Sequence, residues 1–99
     1  MVRHVVLFSW KDGTGPDKIR DIEQSFAGLA GKIDLIEGFE WGTDISVENI
    51  AHGFTHCFLV TFKTKEDRDT YLPHPEHRKF VEMIKPYLND ALVIDYQAK

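Results

Sequence analysis

Apolar residues fill both sides of the predicted strands in this chain. Residues 3–10 and 54–62 are long stretches in which most positions are apolar or small, and residues 91–96 form a third. Residues 39–42 predict a short strand, and the mostly polar residues 43–53 predict a loop. The usual alternation of apolar with charged positions is missing from the long strands, so neither side of the sheet is expected to face water.

Apolar residues at spacings of three and four predict helices between these strands. The first helix is expected to start near Pro16, with Thr14 and Asp17 forming a capping box, and to end at about Gly31 or Ile33. Its buried stripe is expected to consist of Ile19, Ile22, Phe26, Leu29 and Ile33.

Two more helix starts follow the third strand. Thr64 with Asp67 predicts a second capping box and a short helix that ends near Tyr71. Pro75 suits the first position of the next helix, because its missing N–H would have no partner there. His74 is therefore expected at the N-cap.

The third helix begins with an apolar stripe beside a histidine. From Pro75 it is expected to reach about Asn89, with Pro86 kinking or ending it. The stripe consists of Phe80, Val81, Ile84 and Leu88. His77 lies in the first turn on the same face, so its imidazole is expected to point toward the core or a cavity in it.

The order strand, helix, strand, strand, helix, strand predicts a single domain over residues 1–99. One antiparallel sheet covered on one face by helices is the economical arrangement, which is a ferredoxin-like α+β sandwich. We assign the helices to the face that carries His4, Phe8, His56 and Phe58.

The second apolar face of this sheet predicts a partner. It carries Val5, Leu7, Cys57 and Leu59. A second copy is the simplest cover, because two sheets that pack through a two-fold axis bury both apolar faces at once. The strand pattern therefore predicts a homodimeric α+β barrel.

Composition and charge argue against two other classes of partner and indicate a cellular compartment. The formal net charge of −4 leaves no basic stripe, so no nucleic-acid partner is expected. No apolar run approaches the length of a membrane span, and residues 1–8 are too short for a signal peptide, so no membrane partner is expected. Cys57 is the only cysteine, which favours the cytoplasm, and its apolar strand predicts a buried, inert thiol.

Three histidines and a tyrosine are the candidate chemistry. If His4, His56 and His77 all point between sheet and helices, three imidazoles converge on one part of the core, with Tyr71 just before the turn to His77. A neutral imidazole can act as a general base, and a phenol can donate to a developing enolate. Tyr71 and the three histidines are expected to line a pocket, whose other walls would come from Val6, Phe8, Phe26 and Phe80.

A structural role is the alternative for each of these groups. A core histidine commonly donates to a backbone carbonyl, and a tyrosine at the core rim commonly bonds water. The first helix also carries three acidic residues, which are interpreted as an ordinary solvated face. They are Asp17, Asp21 and Glu23.

Metal binding is the rival use of the histidines. His74 and His77 are three residues apart and, with His4 or His56, could supply three ligands. No HExxH or paired-cysteine motif supports such a site, and an N-cap residue need not share the face of His77. We therefore expect neither a metal ion nor a cofactor.

Five segments, which together span essentially the whole chain, carry a family resemblance. They are His4–Phe8, Phe39–Gly42, Gly53–His56, Tyr71–His77 and Val93–Tyr96. Their residues and spacing resemble the stress-responsive dimeric α/β-barrel (Dabb) family. Members of that family are ferredoxin-like dimers, so the resemblance implies the same fold and assembly as the strand pattern.

The resemblance also implies roles for single residues. The plant members include stress-induced proteins without assigned chemistry and a cofactor-independent polyketide cyclase. The catalytic tyrosine and histidine of that cyclase match Tyr71 and His77, and its pocket histidines match His4 and His56. By that likeness, His77 would remove a proton from an activated methylene and Tyr71 would help to hold the acyl group or the enolate. An intramolecular aldol reaction would then close a ring.

Two departures from those cyclases leave the substrate open. Phe26 stands in place of a pocket tyrosine, and Val81 in place of a smaller residue.

Three functions follow as hypotheses. The first is a cytoplasmic stress-related homodimer that binds a small, apolar, carbonyl-containing molecule, with its role unassigned. The second is a cofactor-free enzyme of cyclase, isomerase or monooxygenase type that uses His77 and Tyr71. The third is a purely structural stress protein with a filled core.

Overall fold

A four-stranded antiparallel sheet organises the computed structural model, which describes all of residues 1–99. The spatial order is β2-β3-β1-β4, and the strands are β1 (Val2–Trp10), β2 (Gly38–Thr43), β3 (His56–Phe62) and β4 (Leu88–Gln97). The helices are α1 (Pro16–Lys32), α2 (Lys65–Tyr71) and α3 (Pro75–Ile84). This order and connectivity confirm the ferredoxin-like α+β fold.

The start of α1 differs from the prediction. Its N-cap is Gly15, and no side chain caps the helix. The hydroxyl of Thr14 instead donates to the carbonyl of Lys11 at 2.8 Å, which closes the turn after β1. The capping box of Thr14 with Asp17 is therefore wrong, because a nearer backbone acceptor takes the hydroxyl.

The two later helix starts agree with the prediction. Thr64 is the N-cap of α2, and its side chain accepts from the backbone N–H of Asp67 at 3.1 Å. His74 is the N-cap of α3 and accepts from the backbone N–H of Glu76 at 3.1 Å, with Pro75 following it. Only the turn 72–74 separates the two helices.

The third helix is shorter than predicted. It ends at Ile84, and a 3₁₀ turn over Lys85–Tyr87 leads directly into β4. Leu88 consequently begins a strand and does not continue the helical stripe, and β4 is longer than the predicted 91–96. Pro86 has no N–H for the fourth-residue hydrogen bond of an α-helix, which accounts for the early end.

The core lies between the helices and one face of the sheet, as predicted. His4, Phe8, His56 and Phe58 are all buried on that face. The apolar core consists of Val2, Val6, Phe8, Ile22, Phe26, Leu29, Ile33, Phe58, Val60, Phe62, Tyr71, Phe80 and Ile84.

None of the three α-helices has the length and apolar character that crossing a bilayer requires.

The opposite face of the sheet is apolar and open to solvent in the single chain. Val5, Leu7 and Leu59 are half-buried there, and Cys57 is exposed. The prediction of a buried Cys57 is therefore wrong for one copy, because the outer face has no helix above it. Strand β4 adds three exposed residues to this face, namely Leu92, Ile94 and Tyr96.

Candidate functional site

An open cavity of about 510 Å³ lies between the helices and the β4 side of the sheet. Most of its wall is apolar, and it includes four predicted wall residues, Val6, Phe8, Phe26 and Phe80. Val81 is also on the wall, where the resemblance implied that it would reduce the space. The polar groups on the wall belong to His4, His77 and Asp95.

The imidazole of His77 is fixed by one backbone hydrogen bond. Its Nδ1 lies 2.8 Å from the carbonyl oxygen of Leu72, the C-cap residue of α2. A carbonyl can only accept, so Nδ1 carries the proton and Nε2 keeps its lone pair. The short turn between α2 and α3 therefore positions His77 as a potential base.

Burial reinforces this protonation state. Desolvation is the main cause that lowers the pKa of His77 below its ordinary value of 6.5, and nearby His4 and His74 lower it further. The hydrogen bond to Leu72 acts in the opposite direction but does not dominate. His77 is consequently neutral at pH 7 and can accept a proton.

Tyr71 lies behind the cavity wall, and this corrects the expectation that it lines the pocket. Its ring is 0% exposed and packs 4.3 Å from the ring of His77, measured between centroids, and 5.9 Å from that of His4. Its hydroxyl is fully buried and has no hydrogen-bond partner in the chain. Burial raises the pKa of this phenol, so it remains a neutral donor.

His4 belongs to a charged chain that the sequence analysis did not find. Its Nδ1 lies 2.7 Å from Oδ1 of Asp95, and Oδ2 of Asp95 lies 2.6 Å from Nη1 of Arg68. The hydrogen bond to Asp95 is the main cause that raises the pKa of Arg68. One signal was available in the sequence, because Asp95 is the only charged residue within the apolar stretch 91–96.

His56 is not part of this cavity, so the expected convergence of three imidazoles is wrong. Val60 is the register partner of His4, and His56 is four residues further along β3, which corresponds to about 13 Å. Its Nδ1 accepts from the indole N–H of Trp10 at 3.2 Å, and its Nε2 lies 2.7 Å from Oε2 of Glu23. Both nitrogens of His56 are thus used to join β1, β3 and α1.

The same contact corrects the interpretation of Glu23. Its side chain is only 15% exposed, because it turns from α1 onto His56. Glu23 is therefore a half-buried partner of His56 and not a member of a solvated acidic face. Asp17 and Asp21 on the same helix are exposed, as predicted.

The arrangement does not form an evident metal centre. No group of three or more His, Cys, Asp or Glu side chains is placed to hold a metal ion. His74 uses Nδ1 as the acceptor of its helix cap, and His77 uses Nδ1 as a donor. The cavity instead combines an apolar wall with a neutral base, a buried phenol behind that base, and a second imidazole, which is an arrangement suited to proton transfer on an apolar molecule.

Comparisons with known proteins agree with this fold. The family model described as Stress responsive A/B Barrel Domain matches residues 2–98. The stress-response A/B barrel domain-containing protein HS1 of Arabidopsis thaliana is 42% identical over 96 residues, which cover 97% of this chain and 88% of that protein. Olivetolic acid cyclase of Cannabis sativa is 26% identical over 95 residues, which cover 96% of this chain and 94% of that protein.

Solved structures support the same conclusion. Hydroxynitrile lyase from Passiflora edulis is similar with a TM-score of 0.93 and 27% identity, over 99% of this chain and 93% of that one. Bacterial proteins at 23–24% identity, with TM-scores of 0.76–0.84, have the same fold and are described as dimeric ferredoxin-like proteins of unknown function. The chain belongs to the stress-responsive A/B barrel domain (Dabb) family.

Proposed function

We propose that this protein binds a small, mainly apolar carbonyl compound in the 510 Å³ cavity and transfers a proton on it, with His77 as the base. The observation that carries the proposal is the hydrogen bond from Nδ1–H of His77 to the carbonyl of Leu72. It leaves Nε2 unprotonated in a residue that lines the cavity. The lowered pKa keeps the nitrogen in that state at neutral pH.

In the proposed step, Nε2 of His77 takes a proton from the carbon next to the carbonyl group of the ligand. The electrons of that C–H bond form an enolate, which then attacks an electrophile or recovers a proton from the imidazolium. An apolar surrounding favours this transfer, because water does not compete for the base.

Tyr71 is proposed to assist as a hydrogen-bond donor. A buried hydroxyl without a partner costs about 1–3 kcal/mol in free energy. A ligand oxygen that reaches past His77 would satisfy this hydroxyl and would receive a donor where enolate charge develops. The missing partner of this hydroxyl supports a role for Tyr71 in binding the reacting oxygen, and that role requires the wall in front of the ring to move aside.

Two relatives support an enzymatic function for a cavity in this fold. One is named a cyclase and is similar in sequence over nearly the whole chain, and the other is named a lyase and is similar in structure over nearly the whole chain. Their names describe different reactions, so the proposal is limited to proton transfer on a carbonyl compound and leaves the overall reaction open.

The homodimer is part of the proposal. The outer face of the sheet is apolar, with 41–56% of Leu92, Ile94 and Tyr96 exposed in one copy. An apolar sheet face of this kind is typical of an interface, and the fold relatives at 23–24% identity are described as dimeric. A second copy would also cover Cys57. Separately, the presence of a single cysteine, which cannot form an internal disulfide, favours the proposed cytoplasmic location.

The proposed base can be tested without knowledge of the natural substrate. Phenylacetone in D₂O at pH 7 reports proton removal through the loss of its α-proton NMR signals. We expect the protein to accelerate this exchange and His77→Ala to reduce the acceleration by at least about 100-fold, because the general base is removed. His52→Ala is the matched control, since His52 is exposed and lies outside the cavity.

The pH dependence gives a second readout of the same experiment. The pKa of His77 is lowered from its ordinary value of 6.5, so the exchange rate should fall with decreasing pH and reach half of its plateau value at a pH below 6.5. A rate that is the same in wild type and His77→Ala would remove His77 from the mechanism. Mass spectrometry of small molecules that co-purify with the native protein would then separate a binding protein from a structural one.

A further inference from the structure

The cavity contains a second imidazole whose orientation is fixed by charge. Oδ2 of Asp95 accepts from Arg68 at 2.6 Å, so the carboxylate is ionised and its Oδ1 can only accept from His4. The proton of a neutral His4 therefore lies on Nδ1. The register of β1 with β4 supports this pair, because His4 and Asp95 are direct partners.

The other nitrogen of His4 is left without a protein partner. The Tyr71 hydroxyl is the only fully buried side-chain nitrogen or oxygen that lacks a partner, so Nε2 of His4 keeps some contact with solvent. His4 lines the cavity, and its side chain is otherwise only 6% exposed. The cavity is the surface through which a small molecule would reach this nitrogen.

One short helix determines the state of both imidazoles. Helix α2 carries Arg68, which binds Asp95, and Tyr71, which packs against the rings of His4 and His77. Its C-cap residue, Leu72, accepts the Nδ1–H of His77. Both histidines are therefore bonded through Nδ1 and have Nε2 without a protein partner, and α2 contacts both of them, His77 directly and His4 through Tyr71 and through the pair of Arg68 with Asp95.

We propose that Arg68 is a positioning residue that, through Asp95, keeps His4 in the neutral Nδ1–H form, so that its Nε2 accepts a hydrogen bond from the ligand. A ligand would then offer an acidic C–H to His77 and an O–H to His4. Enolisable 1,3-dicarbonyl compounds have this pattern, and the resemblance to polyketide cyclases already implies this class of ligand, so the new element is the role of Arg68. The choice of ligand rests on the proposed function, whereas the state of His4 does not.

The charges around His4 explain why Arg68 is needed. Asp95 faces His4 from β4 and Arg68 balances it from α2, while Tyr71 and His77 are both neutral at pH 7. Without Arg68, the negative charge of Asp95 would act on the imidazole alone and favour the imidazolium. Its Nε2 would then be a donor and could not accept from the ligand.

The ¹⁵N NMR shifts of the His4 ring test the proposal directly. At pH 7 the wild type should show a protonated Nδ1 and an unprotonated Nε2. In Arg68→Met, Nε2 should gain a proton in a large fraction of molecules, and the double variant Arg68→Met/Asp95→Asn should return it to the unprotonated state. Arg20→Met is the matched control, because Arg20 pairs with Asp17 on the exposed side of α1.

An unchanged His4 spectrum in folded Arg68→Met would overturn the role of Arg68. If that variant does not fold, the wild-type spectrum still tests the proposal, because an Nε2–H form of His4 would contradict it. Folding is followed by circular dichroism in each variant.

Ligand choice is tested separately with acetylacetone and 2-pentanone, which lacks the second oxygen. We expect wild type to bind acetylacetone about tenfold more tightly, and Arg68→Met to lose this preference. Equal binding of the two probes by wild type would overturn the proposed ligand class. If neither probe binds, the proposed function fails, whereas the state of His4 still decides the role of Arg68.

Discussion

A single backbone carbonyl determines what His77 can do. Without this acceptor the proton could lie on Nε2, and the imidazole would then present a donor to the cavity and could not act as a base. The carbonyl of Leu72 is available because it lies at the end of α2, where the helix no longer uses all of its acceptors. A helix end thus contributes to the proposed chemistry without any side chain of its own.

Tyr71→Phe tests the buried phenol. We expect the free energy of unfolding to rise by about 1 kcal/mol, because the variant removes a hydroxyl that is buried without a partner. The rate of phenylacetone exchange should fall at the same time, since the donor to the enolate is lost. Urea unfolding followed by circular dichroism measures the first effect, and proton NMR measures the second.

A loss of stability in Tyr71→Phe would contradict this account, because it would mean that the hydroxyl makes a stabilising hydrogen bond. Tyr87→Phe is the control, since Tyr87 is half-buried outside the core cluster and is not on the cavity wall. Its exchange rate should equal that of the wild type.

Residue patterns predicted the cavity wall better than its polar groups. The strand and helix periods place Val6, Phe8, Phe26 and Phe80 inside, and all four line the cavity. The same period also places His56 on the inner face, but not in the cavity. A period of two determines which face a residue occupies, whereas its distance along the strand depends on register with the neighbouring strands.

At the scale of elements, the helix starts separate into two kinds. Thr64 and His74 act as caps because the residues after them have free backbone N–H groups within reach. Thr14 matches the same sequence pattern, but its hydroxyl donates to Lys11 in the preceding turn. A capping motif therefore predicts a helix start only where the turn before it offers no better partner.

Substitution of His74 tests the cap of α3. His74→Ala should lower the free energy of unfolding by about 1 kcal/mol, because the N–H of Glu76 loses its acceptor. His74→Asn is the matched control and should keep most of the stability, since its side chain can also cap. Urea denaturation measures both variants, and a loss of similar size in His74→Asn would show that the imidazole has a role beyond capping.

The boundary between α3 and β4 shows where element prediction fails. The apolar spacing continues to Leu88, so the period alone extends the helix too far. In the structure this residue begins a strand that pairs with β1 at Trp10. Pairing with another strand is a tertiary interaction. It decides whether a segment whose sequence suits both a helix and a strand forms one or the other.

At the scale of the whole molecule, the outer sheet face provides the test of assembly. We expect the wild type to sediment as a dimer at micromolar concentration. Ile94→Lys should sediment as a folded monomer, because it places a charge on the apolar outer face that is proposed to pack against the second copy, while the residue is 56% exposed in one copy. Sedimentation velocity with circular dichroism distinguishes dissociation from unfolding.

Glu82→Lys is the control for this experiment, since Glu82 is exposed on α3, on the opposite side of the sheet. It should remain dimeric. A wild-type protein that sediments as a monomer would remove the homodimer from the proposal, and the proposed base at His77 would still stand on its own contacts.

The sequence by itself determined the order of the elements, the inner and outer faces of the sheet and the family. The order and the faces follow from local periods and turn residues, which act over a few positions of the chain, and the family follows from the resemblance carried by five segments. Only the tertiary structure decided that His4 binds Asp95, that Glu23 turns onto His56, and that Tyr71 lies behind His77. Such contacts join residues up to 91 positions apart, and they depend on strand register and helix placement, which no local pattern specifies.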